Sequence, residues 1–101
     1  MYGGYWGLDE YRIVYTDHAS DMMRERRISE KEIFHVVSYG IVIKEYPDDT
    51  PYPSVLLLCW CEKRPLHIVV ARDEENMLQF IVIAYEPDPH KWEEDFKRRR
   101  R

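Results

Sequence analysis

Three side chains capable of acid–base or phosphate chemistry stand in the second half of the chain: His67, Arg72 and Tyr85. His67 interrupts the apolar run Leu66–Ala71 and shares a strand face with Val69 and Ala71, because side chains alternate across a strand. Histidine titrates near neutrality and serves as an acid, a base or a phosphate ligand. A sheet histidine that merely bonds its neighbours is the competing reading. Arg72 ends the same run and offers a planar fork to a phosphate. Tyr85 closes the next run as a hydrogen-bond donor. His18, in the first turn of a helix, is a second candidate acid or base. Arg26, Lys44, Arg98 and Arg99 are candidate cations.

The elements that must position these groups are legible as hydrophobic patterns. Val55–Cys61, Leu66–Ala71 and Met77–Tyr85 are apolar runs of strand length, rich in β-branched residues and joined by short polar connections. Short connections favour an antiparallel meander. In Val55–Cys61 both alternating sets are apolar, so both sheet faces require cover. Upstream, Thr16 or Asp17 can cap a helix that carries Ala19, Met22, Met23 and Arg26 at helical spacing. Ser29 and Glu32 have capping-box spacing, with Ile28 and Ile33 at the staple positions. Gly40 suits the helix stop. Ile41–Tyr46 reads as a strand, and Tyr11–Tyr15 as a short first one. Residues 47–53 form a loop dense in Pro and Asp. After Glu86-Pro87-Asp88-Pro89 a C-terminal helix is expected over His90–Arg100, with Trp92 and Phe96 one turn apart and docked on the sheet. The expected fold is α+β: an N-terminal helical hairpin packed on an antiparallel sheet of about four strands, with a C-terminal helix. Residues 11–101 make one domain, preceded by a flexible aromatic arm over residues 1–10 that holds Tyr2, Tyr5 and Trp6.

Composition narrows the classes. At 45% hydrophobic and 34% charged, the chain reads as globular rather than disordered. No apolar run reaches the ~18 residues of a membrane span, and no secretory signal is visible, so a cytoplasmic protein without a membrane partner is expected. The net charge is −4, yet Lys97 to Arg101 hold five of the fifteen basic residues. The remainder sets ten basic residues against nineteen acids, so any RNA contact must be local. Cys59 and Cys61 point to one strand face and are poorly placed for a disulfide. Two ligands are too few for a structural zinc site, so reduced thiols are expected, or else a metal shared with a partner. The four histidines show no spaced ligand motif. A metal-dependent hydrolase is therefore the poorest reading, and no metal or cofactor is expected.

Several blocks are together similar to one family. These are His18-Ala19, Arg26 before Ile28-Ser29, Tyr46-Pro47-Asp48-Asp49 with Pro51-Tyr52-Pro53-Ser54, Pro65 to Ala71, and Tyr85-x-Pro87-Asp88-Pro89 with Trp92. They resemble the domain-of-unknown-function 4258 family from about Val14 to Arg100. Arg27 departs from the pattern, standing where a glycine is expected in many members. Members of the family are discussed beside RelE-like and MqsR-like toxins, sometimes paired with a zinc-finger antitoxin. The resemblance therefore implies a RelE-like outline, an antitoxin protein as partner and RNA as target, without supplying a catalytic set. Two functions follow as expectations. One is a metal-independent endoribonuclease of toxin type, with His67 as base or acid, Arg72 on the phosphate, Tyr85 and His18 assisting, and Lys44, Arg26, Arg98 and Arg99 binding RNA. The other is a non-catalytic interaction module or homodimer, in which the histidines are structural.

Overall fold

Thr16 begins the helical part of the chain with its side chain. Its Oγ1 accepts the Ala19 amide at 3.0 Å and donates to the Ile81 carbonyl at 3.1 Å, so one residue caps a helix and ties it to a strand. Helix α1 (Asp17–Arg26) ends at Arg27, whose backbone is left-handed (φ 55°, ψ 48°). That conformation is free for glycine and strained for arginine, a physical reason for the glycine that the resemblance led one to expect here. Replacing Arg27 with glycine removes the left-handed strain and adds unfolded-state entropy. A net gain of about 0.5–1 kcal/mol is expected, read as a higher urea midpoint at unchanged slope.

Helix α2 (Glu30–Tyr39) starts on the expected capping box. Ser29 Oγ accepts the Glu32 amide at 3.1 Å, and Glu32 Oε1 accepts the Ser29 amide at 2.9 Å. Ser29→Ala should cost about 0.5–2 kcal/mol in urea unfolding, and an unchanged midpoint would show that the cap contributes nothing. Gly40 stops the helix, though not through a left-handed backbone, since its φ is −67°. A Cβ there would lie inside contact distance of the Val36 carbonyl oxygen and 3.3 Å from Leu57 Cβ, so close approach is what requires glycine.

The computed structural model describes residues 11–101. The expected aromatic arm, residues 1–10, lies outside the described residues. The sheet is formed by β1 (Arg12–Tyr15), β2 (Ile41–Tyr46), β3 (Ser54–Cys61), β4 (Arg64–Asp73) and β5 (Leu78–Tyr85), in the order β1-β5-β4-β3-β2. The meander β3-β4-β5 and the β2–β3 pair are antiparallel as expected. There are five strands rather than about four, and the sheet is mixed because β1 pairs with β5 in parallel. The cause is topological: the helical hairpin carries the chain from one sheet edge to the other, so β1 and β2 lie on opposite edges.

The hairpin covers one face only. Ala19, Ile28, Ile33, Val36 and Val37 meet Leu57, Leu66, Ile68, Val70, Ile81 and Ala84 in one buried cluster. Arg64 locks this layer. Its guanidinium donates to the carbonyls of Arg26 and Arg27 at the end of α1, to Glu86 at 3.0 Å, and to the capping-box Glu32 at 3.4 Å. Cys59 and Cys61 are free thiols packed against this core. Burial pushes the Cys59 thiol up and the Cys61 thiol up to about 11, with Cys59 adding to the second shift, so both stay protonated near neutrality.

The opposite face is covered differently from expectation. Among the described residues there is no C-terminal helix. Residues 91–100 instead fold back as a small clasp: Arg100 N donates to the Lys91 carbonyl at 2.8 Å, Glu93 N to the Arg98 carbonyl at 2.8 Å, and Trp92 bridges Arg99. Phe96 turns the chain in the left-handed region at φ 58°. Trp92 and Phe96 do anchor this segment, as expected, but from a turn. The buried His67 explains the preference: its Nε2–H needs an acceptor, and a carbonyl engaged in a helix would be less available to it. Like charges crowded over Lys97 to Arg101 also disfavour a final helix. Among the described residues no helix is long and apolar enough to cross a membrane.

Candidate functional site

His67 lies opposite Tyr85 in the β4–β5 register and opposite Leu58 in the β3–β4 register, on the face away from the helices. It is fully buried. Trp92 packs edge-on against it at 4.5 Å between centroids, and Tyr85 at 5.2 Å. Both ring nitrogens are engaged. Nε2 lies 2.7 Å from the Phe96 carbonyl oxygen, which can only accept, so Nε2 carries the proton. Burial lowers the His67 pKa, with the Phe96 bond opposing, so the ring is neutral at pH 7. Nδ1 is therefore an acceptor, and the Tyr85 hydroxyl, 3.0 Å away, donates to it.

Tyr85 also lines a cleft of about 350 Å³, between the sheet and the clasp. That is the lower end of ligand-site sizes, enough for one nucleotide-sized group. The sheet contributes Ile43, Lys44, Tyr46, Leu56 and Tyr85, and the clasp contributes Trp92, Lys97, Arg98 and Arg99. Four cations thus ring two tyrosines on a protein whose net charge is negative. Lys44 Nζ lies 5.4 Å from the Tyr46 ring centroid, and the Arg99 guanidinium 5.5 Å from that of Trp92. Burial raises the Tyr85 pKa, Tyr46 adds to the shift and Arg99 opposes it, so Tyr85 stays a phenol near neutrality.

A bulge brings Lys44 to this face. The β2–β3 register slips between Val42 and Lys44, so Val42 pairs with Leu57 over the core while Lys44 pairs with Leu56 over the cleft. Ile43 and Lys44 both line the cleft as a result. Without the extra residue Lys44 would point at the helices.

Of the residues that the sequence singled out, the structure gathers His67, Tyr85, Lys44, Arg98 and Arg99 at this cleft, with His67 behind Tyr85 rather than open to a ligand. It does not gather the others. Arg72, an odd number of residues from His67, faces the helix side. It is buried there, lies over the Tyr11 ring at 4.1 Å and donates to Gln79 Oε1 at 3.4 Å. His18 is exposed on α1, and the Arg26 side chain is exposed at the end of that helix, both across the sheet from the cleft. His18 and His67 do not converge. Tyr46, Trp92 and Lys97 complete the cleft and were not singled out as site residues. For Trp92 and Lys97 the sequence signal was the aromatic anchor and the charge of the tail, and for Tyr46 it was the block Tyr46-Pro47-Asp48-Asp49. Among the described residues no three His, Cys, Asp or Glu side chains are grouped to hold a metal ion.

No curated protein and no solved structure matches the chain. A family model does match, over residues 15–86, from the end of β1 through β5. The matched part holds the Tyr85–His67 pair, Lys44 and Tyr46, whereas the clasp residues lie beyond it. The match spans most of the described fold, and the chain belongs to the family described as Domain of unknown function (DUF4258).

Proposed function

We propose that this protein is a cytoplasmic, metal-independent endoribonuclease of toxin type, RelE-like in outline, that cleaves RNA in the cationic cleft. The observation that carries this reading is Tyr85, which lines a cleft with four cations while its hydroxyl is hydrogen-bonded to a buried neutral imidazole. Cleavage needs a base for the ribose 2′-hydroxyl and positive charge for the phosphorane. Tyr85 accepts the 2′-hydroxyl proton as its own passes to His67 Nδ1. The new imidazolium is held by Tyr85 on one side and by the Phe96 carbonyl on the other. The 2′-oxygen attacks phosphorus, and Lys44, Arg98 and Arg99 stabilise the charge that develops. The 5′-oxygen departs with a proton from an ammonium at the rim, Lys44 or Lys97. A 2′,3′-cyclic phosphate and a 5′-hydroxyl remain, and no metal enters the balance. Tyr85 is the catalytic residue, and His67 is the positioning residue that stores its proton. A neutralising partner of antitoxin type would cover this cleft with acidic groups.

The test is incubation of purified, partner-free protein with single-stranded RNA in chelator, with cyclic-phosphate ends as the expected product. Absence of cleavage both on free RNA and in a translating extract overturns the reading. A non-catalytic interaction module or homodimer is then favoured by Phe34, Tyr39 and Ile41, large apolar side chains left exposed on α2 and on the edge strand β2. Light scattering at micromolar concentration reads that alternative directly: a strict monomer removes the homodimer.

A further inference from the structure

Trp60 is 47% exposed, although the first five residues of its strand, Ser54 to Leu58, are buried. It shares a face with Leu56 and Leu58, and hence with the cleft, because the three alternate along β3. Its ring is held edge-on against Phe96 of the clasp at 5.7 Å, so it is oriented and cannot swing freely. Four residues separate Trp60 from the cleft residue Leu56, about 13 Å along the strand. Ile41, exposed and paired with Leu58, lies between Lys44 and Trp60 on the open β2 edge. A cationic cleft and an oriented, half-exposed indole thus occupy one face of the sheet, with the clasp touching both.

We infer that Trp60 is a stacking platform for an unpaired base of a single-stranded RNA whose backbone is held in the cleft. The inference rests on the RNA reading above and extends it: it names unstacked, single-stranded RNA as the ligand and places a subsite outside the cleft. Every base has a π-face, so such a platform supplies affinity with little sequence preference, while the cations track the phosphates. A duplex keeps its bases stacked inside and offers none to the indole. Charge complementarity favours this occupant over an apolar protein surface, because Lys44 and the clasp cations line the cleft on the same face as the indole.

The experiment measures binding by fluorescence polarisation of two labelled oligonucleotides of equal length and charge. Both carry 2′-O-methyl sugars, which lack the attacking hydroxyl; one bears bases and the other is abasic. The full-length wild-type chain is expected to bind the base-bearing strand about 5- to 100-fold more tightly than the abasic one. Trp60→Leu should bring the two affinities together, and Trp60→Tyr should restore the difference. Lys44→Ala should weaken both strands alike, because its contact is with the backbone. If Trp60→Leu keeps the wild-type preference, or weakens both strands equally as loss of clasp packing or of a protein-docking patch would, the stacking site is overturned. If the wild type binds neither strand, the RNA reading itself falls, an outcome distinct from the first two.

Discussion

Replacing His67 with alanine is expected to lower the rate of RNA cleavage by about 10²–10⁴-fold, the usual size of a general acid–base contribution. Tyr85→Phe should fall in the same range, because it removes the hydroxyl bonded to His67 and leaves the ring in the cleft. The double variant should be little slower than either single one, since the two groups act as one relay. His35→Ala is the control: its ring is exposed on α2, tilted against Tyr39 at 5.2 Å, on the far side of the sheet. His67→Ala also deletes two hydrogen bonds within the fold, so the pH profile separates chemistry from stability. Burial holds the His67 pKa below its ordinary 6.5, so the relay requires the neutral ring, and the acidic limb of the wild-type rate should lie below pH 6.5. That limb should vanish from the residual activity of Tyr85→Phe. Stability moves in the same direction. As pH falls the unfolded chain binds this proton before the folded one, so the contribution of His67 is complete above pH 6.5 and is lost as pH drops through its folded value. Equal cleavage by wild type and His67→Ala would remove His67 from the mechanism.

The second large effect is expected from the cations of the clasp. With Lys44, Lys97, Arg98 and Arg99 all engaged on phosphates, the logarithm of RNA affinity should fall with the logarithm of salt at a slope of about −3. Between 50 and 200 mM salt that is a loss of about 50-fold. Replacing Arg98 and Arg99 together with alanine should halve the slope to about −1.4 and weaken binding most at low salt. Arg26→Ala, on the other face, should leave the slope unchanged. An unaltered slope in the Arg98/Arg99 double variant would mean that the clasp does not meet RNA. Neither variant should alter thermal stability much, because both arginines are exposed and the Arg98–Asp95 pair is long at 3.8 Å.

Most local features were legible because they depend on neighbours in the chain. The Ser29/Glu32 box, the Thr16 cap, the turn at Gly40 and the three meander strands each follow from spacing within a few residues. The apolar character of both faces of β3 required cover on each side, and each side is covered. The pairing of His67 with Tyr85 was nearly legible, since an antiparallel connection of known length brings the two strand ends together. His67 and Arg72 were expected at one site, yet five residues apart on one strand they face opposite sides, a division that the alternation rule already implied.

Only the tertiary structure decided the rest. Whether β1 ran parallel or antiparallel depended on where the helical hairpin delivered the chain, a choice made by burial across the whole sheet. The face to which Lys44 belongs turned on one extra residue at the β2 bulge, which no periodicity in IVIKEY announces. The last segment carried helix signals, a capping Asp88, Pro89 in the first turn and Trp92 and Phe96 at helical spacing. It became a clasp because a buried imidazole required an acceptor that a distant part of the chain had to supply. By itself the sequence determined which residues form the layers of this protein and which side chains are able to do chemistry. The cleft exists because long-range hydrogen bonding and burial, summed over the sheet, outweighed the local preference of its final residues.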